Sequence, residues 1–272
     1  MSLAFAKLEA AGNGYIAVDG RDRARDWARL AQDLCAPHVG VGSHGLVVAL
    51  SSERAAVRMR IFNSDGSEAE MSGNGLRLLA KFVLDRDIAR ADPEEGLVVE
   101  TEAGLRTVWP EWSAGKMSGG RIAMGVPHVE PGLRSIVAAG RPLDLTVLEV
   151  GNPHAVLFVD TPVADYPLRE VGPAVQAHAS FPNGVNFEIV HVLARDRLRA
   201  RIFERGEGET PSSGTGSTAC AVAARTHGRV GDAVTIEVPG GELRVSWPGS
   251  GQAYLEGPTR EAFTGVWPDP EL

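Results

Sequence analysis

The sequence predicts an α+β protein made of two similar halves, and three observations carry that expectation. Short β-rich stretches are separated by two long helical ones. A strand, polar loop and S-G-x-G helix start occur twice, and 272 residues is about two domains' worth of chain.

Taken in order, Gly12-Asn13 is a turn leading into an apolar stretch, Ile16 to Asp19. A first helix is expected near Arg23 to Leu34, where Trp27, Leu30, Ala31 and Leu34 recur at helical spacing. A strand follows at Val57 to Phe62. After Gly75, residues Leu76, Leu79, Ala80, Val83 and Leu84 mark one buried face of a helix. Alternation or apolar clustering places further strands near Leu97 to Glu100, Arg121 to Met124, Ala155 to Val159, Arg199 to Phe203, Val234 to Val238 and Tyr254 to Glu256. The stretch after Gly216, with Ala219, Ala221, Val222, Ala223 and Ala224, has the composition of a closely packed core helix.

The repeat is specific. Ile61-Phe62-Asn63 and Ser72-Gly73-Asn74-Gly75 match Ile202-Phe203-Glu204 and Ser213-Gly214-Thr215-Gly216 at an offset of 141, each with nine residues from strand end to serine. Gly12-Asn13 matches Gly151-Asn152 at an offset of 139. Two matches in one order place a domain boundary between Ser113 and Thr146. We expect halves 1–120 and 121–272, with the last residues free to return to the first.

Composition narrows the function. The apolar share of 43% and charged share of 23% are those of an ordinary globular chain. No apolar run approaches the roughly 18 residues of a membrane span, and Met1 to Ala11 lacks the features of a signal peptide. Two cysteines, Cys35 and Cys220, form neither a disulfide framework nor a thiolate metal site, so a reducing cytoplasm is the default and no metal is expected. A net charge of −8 argues against nucleic acid as the main partner. Three of the 27 basic residues are lysine (Lys7, Lys81, Lys116), a small choice for Schiff-base chemistry.

A helix N-terminus offers unpaired N–H groups and partial positive charge, and glycines let an anion approach closely. Two such termini facing one another would hold a small carboxylate and place Ser72 and Ser213 at its opposite faces. That geometry suits removing a proton from one face of a carbon and returning one to the other. The plainer use of either serine is as a helix N-cap. For the matched pair we favour function.

Asn63 to Arg77, Gly151-Asn152-Pro153-His154 and Glu204 to Gly216 together resemble the signature blocks of the diaminopimelate epimerase family, in the family's order. The resemblance covers essentially the whole chain. It implies two pseudo-symmetric α/β domains, each a mixed β-sheet or barrel around a central helix, with the active site in the interdomain cleft. It also implies cofactor-independent inversion of LL-diaminopimelate to the meso form by two bases. Ser72 and Ser213 match the family's two catalytic cysteines, and His154 and Glu204 its helper positions. Asn13, Asn63, Asn152, Asn186 and Arg205 match substrate-binding positions. Gly73-Asn74 and Gly214-Thr215 match the carboxylate-cradling turns. The likeness implies a small amino-acid substrate; composition leads us to expect no membrane partner, and a homodimer is left open.

The departure is at the chemistry. A thiol has an unperturbed pKa of about 8.5, whereas a serine hydroxyl is far less acidic. Serine replaces cysteine poorly unless His154 or Glu204 carries the proton. The expected enzyme is therefore an amino-acid isomerase of this type. A catalytically silent binding form, by design or divergence, and a related isomerase or lyase on another amino acid stay open. Leu78-Leu79 after Arg77 and His44 also differ from the family, His44 standing where an acidic residue is usual.

Other signals fall away. Gly40 to Gly45 fits G-x-G-x-x-G, but a helix precedes it and a strand follows, the reverse of the dinucleotide-binding order. Ser72, His154 and Glu204 have the residue types of a triad, yet Glu204 aligns beside the other serine. His38, His128, His178, His191 and His227 are read as surface or satisfied core residues, and both cysteines as inert core thiols.

Overall fold

The computed structural model describes residues 2–21 and 23–268. Its early elements are β1 (Ser2–Ala10), β2 (Asn13–Asp19), α1 (Trp27–Cys35), β3 (Gly45–Leu50), β4 (Val57–Asn63), β5 (Glu68–Ala69), α2 (Gly73–Leu84), β6 (Leu97–Thr101), β7 (Gly104–Ser113) and β8 (Lys116–Gly125). Then come β9 (His128–Val129), β10 (Arg134–Ala138), β11 (Arg141–Glu149), β12 (Pro153–Phe158), α3 (Leu168–Gln176), β13 (Asn186–Ala194), β14 (Arg197–Glu204), β15 (Gly208–Thr210) and α4 (Gly214–Thr226). The last described elements are β16 (Ala233–Val238), β17 (Gly241–Ser246), β18 (Ala253–Pro258) and β19 (Arg260–Pro268). It divides into two compact units, Met1–Ile122 with Gly257–Leu272, and Ala123–Glu256.

Within each unit the strands pair in one pattern. In the first, β2 runs antiparallel to β1 and parallel to β3, β3 is antiparallel to β4, and β4 is antiparallel to β5 and parallel to β6. In the second, β12, β11, β13, β14, β15 and β16 repeat those relations. The register repeats too. Ile61 faces Ala69 as Ile202 faces Thr210, and Val47 faces Ile61 as Glu188 faces Ile202, each shifted by the 141 residues seen in the sequence.

Each mixed sheet wraps one helix. The α2 helix packs against β1, β2, β3, β4 and β7, and α4 against β11, β12, β13, β14, β16 and β17. Asn74 to Leu84 of α2 and Gly216 to Ala224 of α4 are all buried, as befits a helix enclosed on every side. Leu76, Leu79 and Val83 contribute about 1.5–3 kcal/mol each through burial. The glycines permit the close approach: a Cβ on Gly75 would lie 2.6 Å from Ile61 Cδ1, and one on Gly216 would lie 3.0 Å from Ile202 Cδ1.

Two local expectations are corrected. The first helix begins at Trp27 rather than Arg23, because the Asp26 side chain accepts from Arg29 N at 3.0 Å and starts it there. The α3 helix was not expected. Its buried Leu168, Val171 and Val175 have helical spacing, but Pro173 inside it and Pro167 before it obscure the pattern. No helix among the described residues is long and apolar enough to cross a membrane.

Candidate active site

Both serines sit where the chain leaves a polar loop and enters its central helix. Ser72 (φ −139°, ψ 125°) caps α2, its Oγ accepting from Gly75 N at 3.1 Å. Ser213 (φ −132°, ψ 128°) caps α4, accepting from Gly216 N at 3.2 Å. The plain capping role is thus present at both sites, and it fixes each hydroxyl at a positive helix end.

Beyond the cap the two halves differ. Ser213 Oγ donates to Glu204 Oε2 at 2.9 Å and lies 3.4 Å from Thr215 Oγ1. Glu204 Oε1 accepts from Thr210 Oγ1 at 2.7 Å. Both oxygens of this carboxylate therefore receive hydroxyl donors. Thr218 Oγ1 donates to Gly214 O at 2.8 Å and steadies the turn.

Asn186 holds the neighbouring strands in register. Its Nδ2 donates to Pro153 O at 3.1 Å, and its Oδ1 accepts from Arg205 N at 2.8 Å. Arg205 is exposed and donates through Nη1 to Asn183 O at 2.8 Å. His154 is fully buried on β12, with Nε2 2.7 Å from Asn152 Oδ1 and Nδ1 2.7 Å from Glu188 Oε1.

In the first unit the expected residues are bonded separately. Asn63 Nδ2 donates to Ser67 Oγ at 2.9 Å, while Asn74 Oδ1 accepts from Arg77 Nη2. Asn13 opens β2 opposite Ala10, and Gly73 opens α2. His44 Nδ1 accepts from Gly14 N at 3.2 Å, beside the Asn13 turn. Arg77 is fully buried, and burial lowers its guanidinium to about 10, with Glu111 pulling the other way. Among the described residues its Nε and Nη1 have no hydrogen-bond partner.

Glu188 was missed. It is fully buried, its Oε2 has no partner among the described residues, and burial raises its carboxyl above the ordinary value while His154 pulls it back and Glu204 adds to the rise. One signal was available: the offset of 141 sets this lone carboxylate on Val47 of the first half. Burial also pushes the Cys35 thiol up to about 11 and that of Cys220 well above its ordinary value. Both are inert core groups at neutral pH.

Comparison with known proteins agrees with these motifs. The sequence model of the Diaminopimelate epimerase family matches residues 5–129 and 146–261. A diaminopimelate epimerase of Moorella thermoacetica is 39% identical, over 97% of this chain and 99% of that protein. Among solved structures, a Bacillus anthracis phenazine biosynthesis protein of the PhzF family superposes with TM-score 0.74 at 16% identity, over 99% of this chain and 100% of the other. A hydroxyproline epimerase from Agrobacterium vitis, with bound trans-4-hydroxy-L-proline, superposes with TM-score 0.73 at 16% identity, over 99% and 94%. These two likenesses concern the fold. With its near-complete coverage and its ordered motif blocks, the chain belongs to the diaminopimelate epimerase family of amino-acid epimerases.

Proposed function

We propose that the protein interconverts LL- and meso-diaminopimelate by α-proton transfer without a cofactor, and that carboxylate and imidazole carry the protons in place of thiols. The observation that bears the proposal is the 2.9 Å hydrogen bond from Ser213 Oγ to Glu204 Oε2. With Thr210 on the other oxygen, Glu204 is held as an acceptor, ready to take a proton directly or through the Ser213 hydroxyl. His154 handles the second proton in place of the Ser72 hydroxyl.

Diaminopimelate is the substrate named for the Moorella thermoacetica relative. On this proposal the N-terminal turns at Gly73-Asn74 and Gly214-Thr215 receive the substrate's α-carboxylate. The backbone N–H groups stabilise the charge that develops there as the α-proton leaves. Asn13, Asn63, Asn152, Asn186 and Arg205 orient the remaining polar groups. The working form is a cytoplasmic enzyme, with room for a homodimer, that acts on a free amino acid and serves lysine and cell-wall precursor synthesis.

A second reading, binding without turnover, draws on Ser72, whose hydroxyl is engaged as a helix cap. Deuterium uptake from heavy water at the α-carbon of diaminopimelate separates the two, with the Ser72→Cys, Ser213→Cys double variant in parallel. Uptake by the natural chain supports the proposal. Uptake by the cysteine variant alone means a binding site without its proton carriers, and uptake by neither overturns the epimerase assignment for this substrate.

A further inference from the structure

His154 and Glu188 form a fully buried pair, joined by a 2.7 Å hydrogen bond between Nδ1 and Oε1. The fold does not demand it. His154 faces Asn186 across β12 and β13 as Tyr15 faces Gly45 across β2 and β3, and Glu188 takes the place of Val47. The first unit thus fills the same two positions with tyrosine and valine, both buried and needing no ion pair. A desolvated carboxylate is costly unless something is gained from it.

Its surroundings show how the cost is limited. A Cβ on Gly216 would lie 3.1 Å from Glu188 Oε1, so the carboxylate sits beneath the first turn of α4, at the helix's positive end. The titratable groups facing the pair are Glu204 at the end of β14 and the buried Cys220 thiol on α4, both of which couple to Glu188. On its other side the ring meets the Asn152 amide oxygen, 2.7 Å from Nε2.

We infer that Glu188 is the positioning residue of His154: it keeps one proton on the Nδ1–Oε1 axis and so makes Nε2 the atom that gives and takes the substrate proton. Each ring nitrogen faces an oxygen, Nδ1 that of Glu188 and Nε2 that of Asn152. In the forward step the carbanion's electron pair forms the new C–H bond to the Nε2 proton, and the N–H pair stays on nitrogen. The ring is left neutral with its proton on Nδ1, facing the Glu188 carboxylate. The reverse step returns the proton to Nε2. This assignment rests on the proposal that His154 carries a proton during epimerisation.

The test uses the full chain labelled with ¹⁵N-histidine, with the His154 ring identified by its loss in His154→Asn. The natural chain is compared with Glu188→Gln, and with Glu188→Asp should the first fail to fold. The expected result is a far-downfield Nδ1 proton resonance that moves upfield in either variant. Alongside it, the exchange rate of diaminopimelate falls about 100-fold at an unchanged half-saturation concentration. An unmoved ring resonance overturns the inference whatever happens to the rate. A moved resonance with no exchange even in the natural chain upholds the Nδ1–Oε1 hydrogen bond alone and sinks the epimerase proposal, and with it the role of Nε2 as proton carrier.

Discussion

Ser213 donates to Glu204 Oε2 at 2.9 Å, whereas the residues equivalent to this pair in the first half are Ser72 and Asn63, and the Asn63 amide is turned to Ser67 Oγ at 2.9 Å. A repeat that is symmetric in its strands and helix starts is therefore asymmetric in its proton chemistry. A carboxylate backs one serine, and an amide stands at the matching position of the other half. Ser72→Ala and Ser213→Ala should each lower stability by about 1 kcal/mol through the lost cap, measured by urea unfolding. Only Ser213→Ala also removes a donor from Glu204. It should cut α-proton exchange more deeply than Ser72→Ala, and equal losses would count against Glu204 as a proton carrier.

Arg77 lies wholly inside the first unit, where Nη2 reaches Asn74 Oδ1. Arg77→Ala leaves a cavity and an unpaired amide beside the α2 start. A loss of about 2–4 kcal/mol is expected from the midpoint of denaturant unfolding. A loss under 1 kcal/mol would mean that the buried guanidinium is no net support.

The pH dependence of stability reports on Glu188. Burial raises its carboxyl above the ordinary value, so the folded chain holds that proton more tightly than the unfolded one. The resulting stability is full below the ordinary glutamate range, about pH 4, and is lost as pH rises through the raised folded value. Unfolding curves for the natural chain and Glu188→Gln should therefore diverge as pH rises from about 4, with the natural chain losing stability faster. Parallel curves would contradict the burial effect.

Thiol chemistry gives an independent check. Cys35 is 2% exposed with its thiol raised to about 11, and Cys220 is fully buried with its thiol raised well above the ordinary value. At about pH 8 neither is a thiolate, so iodoacetamide should label neither in the folded chain and leave exchange intact. Labelling of both should follow on adding urea. Loss of exchange with modification of the folded chain would show that a cysteine takes part.

What the sequence made legible was local. The starts of α2 and α4 and the matching strands β4 and β14 were readable because serine, glycine and apolar period act within a few residues of one another. The start of α1 was misplaced by the charged residues before Asp26, and α3 was hidden by its prolines. The His154–Glu188 pair was not legible for a topological reason. It forms only when β12 and β13 lie parallel, which requires the intervening chain, α3 included, to cross over between them. The same holds for Arg77, whose motif placed it on a helix without showing that the helix is enclosed on every side.

On the function proposed above, Glu204 and His154 have taken over the proton transfer from thiols. This takeover is tested most directly by following deuterium incorporation into diaminopimelate in heavy water for the natural chain, Glu204→Gln and His154→Asn, with substrate binding measured alongside by calorimetry. The expected result is exchange by the natural chain, a loss of about 100-fold or more in each variant, and binding retained in both. Exchange at the natural rate in both variants would contradict it.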